Sequence, residues 1–105
     1  MELDEVLQQL KRELEGLYGE RLKGLYLFGS HARGDAEPDS DVDIAVVLDD
    51  FESVWEETRR MSGIGARLSL QADLLLAETP VREAEWNARR SLFLRNVQRE
   101  AVAVT

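Results

Sequence analysis

Two short segments decide how this chain folds: Gly29-Ser30-His31-Ala32-Arg33-Gly34 and Ser40-Asp41-Val42-Asp43-Ile44. The first follows Leu22 to Phe28, a stretch whose aromatic residues favour a strand. The second opens the run Asp41 to Leu48, which first alternates between polar and apolar residues and then becomes continuously apolar. The spacing predicts two strands joined by a loop of about a dozen residues, a length that favours an antiparallel pair.

Helices are expected around these strands. Leucine and valine recur at three- and four-residue steps from Leu3 to Leu17, which predicts an amphipathic helix that ends between Gly16 and Gly19. Residues 52–67 favour a second helix. Its expected core contacts are Val54, Trp55, Met61 and Ile64.

The second half of the chain predicts one more strand and further helices. The strand is expected over about 68–77, where the residues are largely apolar. Thr79 can cap and Pro80 can start a helix, so one or two helices are expected over 81–100. Helices that alternate with strands predict an α/β fold, a mixed β-sheet flanked by helices. The apolar side of the last helices is expected to hold Trp86, Leu92, Phe93, Leu94 and Val97.

Composition limits the class of protein. The chain has 105 residues, of which 44% are hydrophobic, and no cysteine. This length suits one small domain, and no apolar run is long enough to span a membrane. The lack of cysteine excludes disulfides and thiolate metal sites. The acidic N-terminus is typical of mature protein, and a cytoplasmic location is expected.

The formal net charge of −8 is unevenly distributed. Residues 1–58 contain sixteen Asp or Glu and five Lys or Arg, whereas residues 59–105 contain eight Arg and five acidic residues. Because an acidic body repels a phosphate backbone, direct nucleic-acid binding is not expected. A nucleotide can still bind where metal ions neutralise the site.

Asp41 and Asp43 are two residues apart on a predicted strand. Their side chains therefore point to one face, with about 7 Å between their backbone positions. Converging carboxylates repel each other unless a cation lies between them. Mg²⁺ is the natural cation, because it takes oxygen ligands and shares its coordination with phosphates. The alternative is that both aspartates simply begin a strand at a solvated edge.

The segment that begins at Gly29 suits a phosphate. Because Gly29 has no side chain, backbone N–H groups can approach an anion closely. A short helical turn at 30–33 would add the partial positive charge of its N-terminus. Ser30 can donate its hydroxyl, and Arg33 offers a planar cation. Taken alone, the glycine and serine also fit a capped turn, and the arginine fits a surface ion pair.

Asp73 is a candidate third carboxylate. It is expected in the middle of the predicted third strand, where an unpaired carboxylate would be costly. Such a charge needs a partner, which could be a metal ion, an arginine or an exposed face. The presence of Asp41 and Asp43 favours a catalytic position.

Gly29-Ser30, ten further residues and Asp41-Val42-Asp43 together resemble the signature of the DNA polymerase beta superfamily of nucleotidyltransferases. The fuller pattern, Gly-Ser-x-Ala-Arg-Gly followed by Ser-Asp-x-Asp, is similar to that of its smallest members, the minimal nucleotidyltransferases of bacteria and archaea. The match covers residues 25–48, and Asp73 extends it. The resemblance implies one minimal nucleotidyltransferase domain over residues 1–105.

The resemblance also implies residue roles. Asp41 and Asp43 would bind two Mg²⁺ ions, and Asp73 would be the third carboxylate, on the ion that activates the acceptor hydroxyl. Gly29 and Ser30 would hold the nucleoside triphosphate, with Arg33 beside them. Such enzymes transfer a nucleoside monophosphate to a hydroxyl and release pyrophosphate, and the resemblance makes ATP the expected donor.

The resemblance extends to a partner protein. Many minimal members serve as antitoxin to a HEPN-domain ribonuclease, and some add AMP to a tyrosine of that toxin. The expected function is therefore AMP transfer from ATP to a hydroxyl of a HEPN toxin. Two alternatives stay open, an antitoxin that only sequesters the toxin and a transferase for a small hydroxylated molecule. Trp55, Trp86 and Leu92-Phe93-Leu94 offer an apolar patch for a partner or for self-association.

Overall fold

Four strands and five α-helices make up the chain, and the computed structural model describes all 105 residues. In chain order the elements are α1 (Leu3–Tyr18), a 3₁₀ turn (Gly19–Arg21), β1 (Leu22–Phe28), α2 (Ser30–Arg33), β2 (Val42–Leu48), α3 (Val54–Ala72), β3 (Leu76–Arg82), α4 (Glu83–Ala88), α5 (Leu92–Glu100) and β4 (Val102–Ala103). None of the helices combines the length and the apolar character that a bilayer crossing requires.

The strands form a single sheet in the order β3-β2-β1-β4. β1 pairs antiparallel with both β2 and β4, whereas β2 pairs parallel with β3. This pairing confirms the predicted antiparallel arrangement of β1 and β2. The physical reason is that the connection between the two strands is short for a parallel crossover. The α/β fold with a mixed sheet flanked by helices is also confirmed.

Apolar side chains cover both faces of the sheet. Val42, Ile44, Val46 and Leu48 of β2 pack with residues of α1 and α3 in the larger core. Ala45 and Val47 face the other side, where a smaller cluster includes Leu94 of α5. Successive side chains of a strand alternate between the faces. Asp43 therefore lies on the same face as Ala45, toward α5.

The strand predicted over 68–77 is wrong, because α3 continues to Ala72 and β3 begins only at Leu76. Met61, Gly65 and Leu68 are buried at helical spacing. The apolar residues after 67 therefore extend the helix instead of starting a strand. Gly65 does not end α3, and a Cβ at this position would overlap Oε1 of Glu78.

The predicted helix start at Thr79 and Pro80 is also wrong, because both residues lie within β3. β3 is an edge strand of the sheet. An edge strand tolerates proline, which lacks an N–H group to donate across the ladder. Two helices follow, α4 and α5, as the sequence allowed.

Several predicted core residues are exposed. Trp55 is 70% exposed because it lies off the buried stripe of α3, and Val54, the first residue of that helix, is 49% exposed. Leu17, Leu92 and Phe93 are exposed as well. Other predicted core residues are buried, namely Met61 of α3 and Leu94 and Val97 of α5. Ile64 of α3 is partly buried and packs at the edge of the core.

Glu78 is a half-buried carboxyl that faces α3 from β3. Its Oε2 is buried and has no hydrogen-bond partner, and burial raises the pKa of the carboxyl from 4.5 to about 7. The folded state therefore holds this proton more tightly than the unfolded chain. The free energy of unfolding therefore falls as pH rises from about 4.5 to about 7. Above that range it stays lower by the full cost of burying the ionised carboxylate.

We expect Glu78→Gln to raise the free energy of unfolding by roughly 2 kcal/mol at about pH 8, since each pKa unit corresponds to about 1.4 kcal/mol. The gain should shrink strongly at about pH 5, where both states are largely protonated. Denaturant unfolding at the two pH values measures the effect. Glu15→Gln removes an exposed charge and serves as the control. An equal gain at both pH values would contradict the assignment.

Candidate active site

The loop after β1 begins with a tight turn. Gly29 has φ 77° and ψ −156°, a backbone conformation that is essentially restricted to glycine. Its carbonyl accepts hydrogen bonds from the N–H groups of Ala32 at 3.1 Å and Arg33 at 3.0 Å. These bonds close α2, the helical turn that the sequence predicted at 30–33. Ser30, the first residue of α2, is half-buried beside Gly29.

Two hydrogen-bond donors of this loop bind the carboxylate of Glu100. The N–H of Gly29 donates to Oε1 of Glu100 at 2.9 Å, and Nη1 of Arg33 donates to Oε2 at 3.1 Å. The hydrogen bond from Arg33, followed by that from Gly29, lowers the pKa of Glu100. A backbone amide and a guanidinium therefore converge on one carboxylate and form an anion site, and nucleotide binding by Gly29 and Arg33 stays a prediction.

Asp43 lies against this anion site. It pairs across the sheet with Phe28, the residue before Gly29. A Cβ on Gly29 would overlap Oδ2 of Asp43, so the absence of a side chain lets the turn approach the carboxylate. The structure therefore brings the Gly29 turn and the acidic start of β2 together.

Asp41 and Asp43 interact electrostatically. Burial, followed by the negative charge of Asp41, raises the pKa of Asp43. A cation between the two carboxylates would relieve this repulsion. Two carboxylates beside an anion site suit a hard divalent ion that binds carboxylate and phosphate oxygens together.

Asp73 is not in the middle of a strand, and that prediction is wrong. It caps the C-terminus of α3 in a left-handed conformation, with φ 54° and ψ 48°, and it is exposed. The cause is the extension of α3 through the segment predicted as a strand. Because β2 and β3 are parallel and Val42 pairs with Leu76, Asp73 lies at the same edge of the sheet as Asp41.

No three His, Cys, Asp or Glu side chains form a group that could hold a metal ion. Asp73 is therefore not gathered with Asp41 and Asp43, and its role as a third carboxylate stays a prediction. On β3 the residue paired with Asp43 is Ala77, which offers no ligand.

Glu100 is the acidic residue that sequence reasoning missed. It lies 71 residues from Gly29 in the sequence, and no motif surrounds it. Its negative charge raises the pKa of Asp43, after burial and Asp41. The sequence nevertheless contained one indication that Glu100 has a stabilising partner. Glu100 is the last residue of α5, and an acidic residue at a helix C-terminus is unfavourable unless another group stabilises it.

His31 is half-buried. Its Nε2 lies 3.2 Å from the carbonyl oxygen of Ser40. The imidazole thus connects α2 with the residue that precedes Asp41. This contact joins the two motif segments across the loop.

Comparison with known proteins agrees with this geometry. The family model of the nucleotidyltransferase domain matches residues 7–101. The protein adenylyltransferase MntA of Thermococcus cleftensis is 36% identical over 75 residues, which cover 71% of this chain and 74% of that protein.

Solved structures share the fold. A toxin–antitoxin structure with AMP-PNP superposes with a TM-score of 0.65 at 20% identity, covering 99% of this chain and 73% of the other. A complex of the tri-AMPylated Shewanella oneidensis HEPN toxin with the MNT antitoxin gives a TM-score of 0.53 at 17% identity, covering 94% and 71% of the two chains.

The family match spans α2, β2 and β3, and thus contains both the anion site's loop and the paired aspartates. The resemblance that the motif implied is confirmed. This chain belongs to the nucleotidyltransferase domain family.

Proposed function

We propose that this chain transfers AMP from ATP to a hydroxyl of a HEPN-domain toxin and thereby acts as its antitoxin. The observation that carries the proposal is the anion site of Gly29 and Arg33 beside Asp41 and Asp43. The adenylyltransferase name of the MntA relative supports the reaction. The solved complexes with AMP-PNP and with an AMPylated HEPN toxin support the donor and the acceptor.

In this proposal the loop binds the triphosphate. The N–H of Gly29 and the guanidinium of Arg33 take phosphate oxygens, and Ser30 adds its hydroxyl at the start of α2. Backbone amides and a planar guanidinium are well suited to phosphate, because they present several donors to one anion. The triphosphate would then lie with its α-phosphate, the group that is transferred with AMP, near Asp43.

The paired carboxylates suit Mg²⁺, which we place at Asp41 and Asp43 as two ions. Magnesium would stabilise the charge that develops on the phosphates during transfer. The two aspartates hold their negative charges close together, and Asp43 is partly withdrawn from water. Asp73 is the proposed third carboxylate, at the same edge of the sheet. Because the Asp73 carboxylate is exposed, we propose that it joins Asp41 and Asp43 only when a nucleotide or a partner protein is bound.

The acceptor is proposed to come from a second protein. Phe93 of α5 is 54% exposed, and its ring contacts that of Phe28, which directly precedes Gly29, with ring centroids 6.2 Å apart. Leu92, next to it, is 69% exposed. An exposed apolar surface beside the site suits a protein partner that presents a tyrosine hydroxyl. We place the reaction in the cytoplasm, where ATP is supplied.

Incubation with Mg-ATP and the cognate HEPN protein, followed by intact mass spectrometry, tests the proposal. We expect the HEPN protein to gain the mass of one or more AMP groups, and the gain to disappear when EDTA replaces the metal. Co-purification with no mass gain would favour sequestration of the toxin. AMP transfer to a small hydroxylated molecule with an unmodified toxin would favour the third alternative.

A further inference from the structure

Glu100 occupies the anion site that the proposed reaction requires for the triphosphate. Its two carboxylate oxygens accept one hydrogen bond each, from the N–H of Gly29 and from Nη1 of Arg33. Arg33 also donates through Nε to Asp35 at 3.2 Å. The phosphate-binding donors of the free protein are therefore already taken by side chains of the chain itself.

We infer that Glu100 is an internal competitor of the nucleotide, a carboxylate that fills the phosphate site until a triphosphate displaces it. The inference rests on the proposed function, because it takes Gly29 and Arg33 as the phosphate donors. Glu100 then returns to these donors when pyrophosphate leaves. It thus sets how much nucleotide the protein needs and selects for ligands that carry β- and γ-phosphates.

A phosphate and Glu100 cannot share this site. The single N–H of Gly29 points to one acceptor, and Glu100 holds it at 2.9 Å. Asp43 is next to the site, and Glu100 already adds to the negative potential that raises the pKa of Asp43. A triphosphate would bring several more negative charges to the same place. Repulsion between these like charges would then expel the side chain of Glu100 from the site.

Glu100 is free to leave without disturbing the sheet. It is the last residue of α5, and Ala101 after it is already extended, with φ −65° and ψ 138°. The short strand β4 follows, and it pairs with Tyr26 and Leu27 of β1. Rotation of one side chain, or fraying of the last helical turn, therefore opens the phosphate site.

Nucleotide affinity tests this inference. In Glu100→Gln the competing charge is removed while the size of the side chain is kept. We expect the dissociation constant for Mg-AMP-PNP, measured by calorimetry, to fall about 5- to 20-fold, a range typical of coupling between two sites. The dissociation constant for AMP should stay within about twofold, because AMP lacks the phosphates that compete with Glu100. Thermal melting shows that the variant is folded.

Two further variants separate local competition from a general charge effect. Glu100→Asp keeps the charge but shortens the side chain, and it should also bind AMP-PNP more tightly. Glu20→Gln removes an exposed negative charge from the 3₁₀ turn before β1, at the opposite end of that strand from Gly29. It should bind AMP-PNP as the unmodified protein does.

The outcomes are distinguishable. Equal affinity of the unmodified protein and Glu100→Gln for AMP-PNP, or an equal gain for AMP and AMP-PNP, overturns the competition while leaving the proposed function intact. Weaker binding of AMP-PNP by Glu100→Gln overturns it too, because Glu100 would then assist binding. If AMP-PNP binds to none of these proteins, the proposed function itself fails, and the inference fails with it.

Discussion

Asp43→Asn is expected to abolish AMP transfer, with a fall in rate of about 10³-fold or more, while the protein stays folded. Asparagine keeps the shape of the side chain but cannot carry the charge that a divalent cation requires. Burial and the charge of Asp41 already raise the pKa of Asp43, so a neutral residue relieves a repulsion in the free protein. We therefore expect thermal stability to be unchanged or slightly higher.

Single-turnover AMP incorporation into the HEPN partner, together with thermal melting, measures both effects. Asp39→Asn is a matched control, because Asp39 is an exposed aspartate in the loop that precedes β2. It should retain transfer. If Asp43→Asn keeps its activity, the metal site lies elsewhere. If it still neutralises the toxin without transferring AMP, the chain acts by binding.

The same assay tests Asp73. A loss in Asp73→Asn similar to that in Asp43→Asn would mean that this C-capping residue joins the site when substrates bind. Activity close to that of the unmodified protein would leave Asp41 and Asp43 as the acidic residues of the reaction. Since Asp73 has a left-handed conformation, asparagine is the substitution that preserves the cap.

Gly29→Ala is expected to remove nucleotide binding and to lower the free energy of unfolding by about 3 kcal/mol. The φ and ψ values of Gly29 lie in a region that is essentially restricted to glycine. The added Cβ would also overlap Oδ2 of Asp43. The substitution therefore strains the turn and displaces a proposed metal ligand at the same time.

Gly34→Ala is the matched control, because it separates strain from collision. Gly34 also has a positive φ, 85°, but a Cβ there meets no atom within 4 Å. This variant should lose about 1–2 kcal/mol from backbone strain alone and should keep its affinity for AMP-PNP. Calorimetric binding and denaturant unfolding of both variants make the comparison. Equal affinity of the two variants would contradict the close approach of Gly29 to Asp43.

Local patterns predicted most of the elements near the site. β1 was predicted with its observed bounds, and α2 was predicted at 30–33, because strand-forming residues and a glycine break both act over a few neighbours. The third strand was misplaced, since an apolar run such as 68–77 fits a helix and a strand equally well. Burial of Leu68 against the sheet decided between them.

By itself, the sequence determined the fold class and the family, and it proposed Gly29, Ser30, Arg33, Asp41 and Asp43 as site residues. These residues are close in the chain, so their spacing already limits their geometry. Only the tertiary structure decided that Asp73 caps a helix and that Glu100 reaches Gly29 from the end of α5. Contacts between residues 71 positions apart depend on how the helices pack on the sheet. No local pattern contains that information.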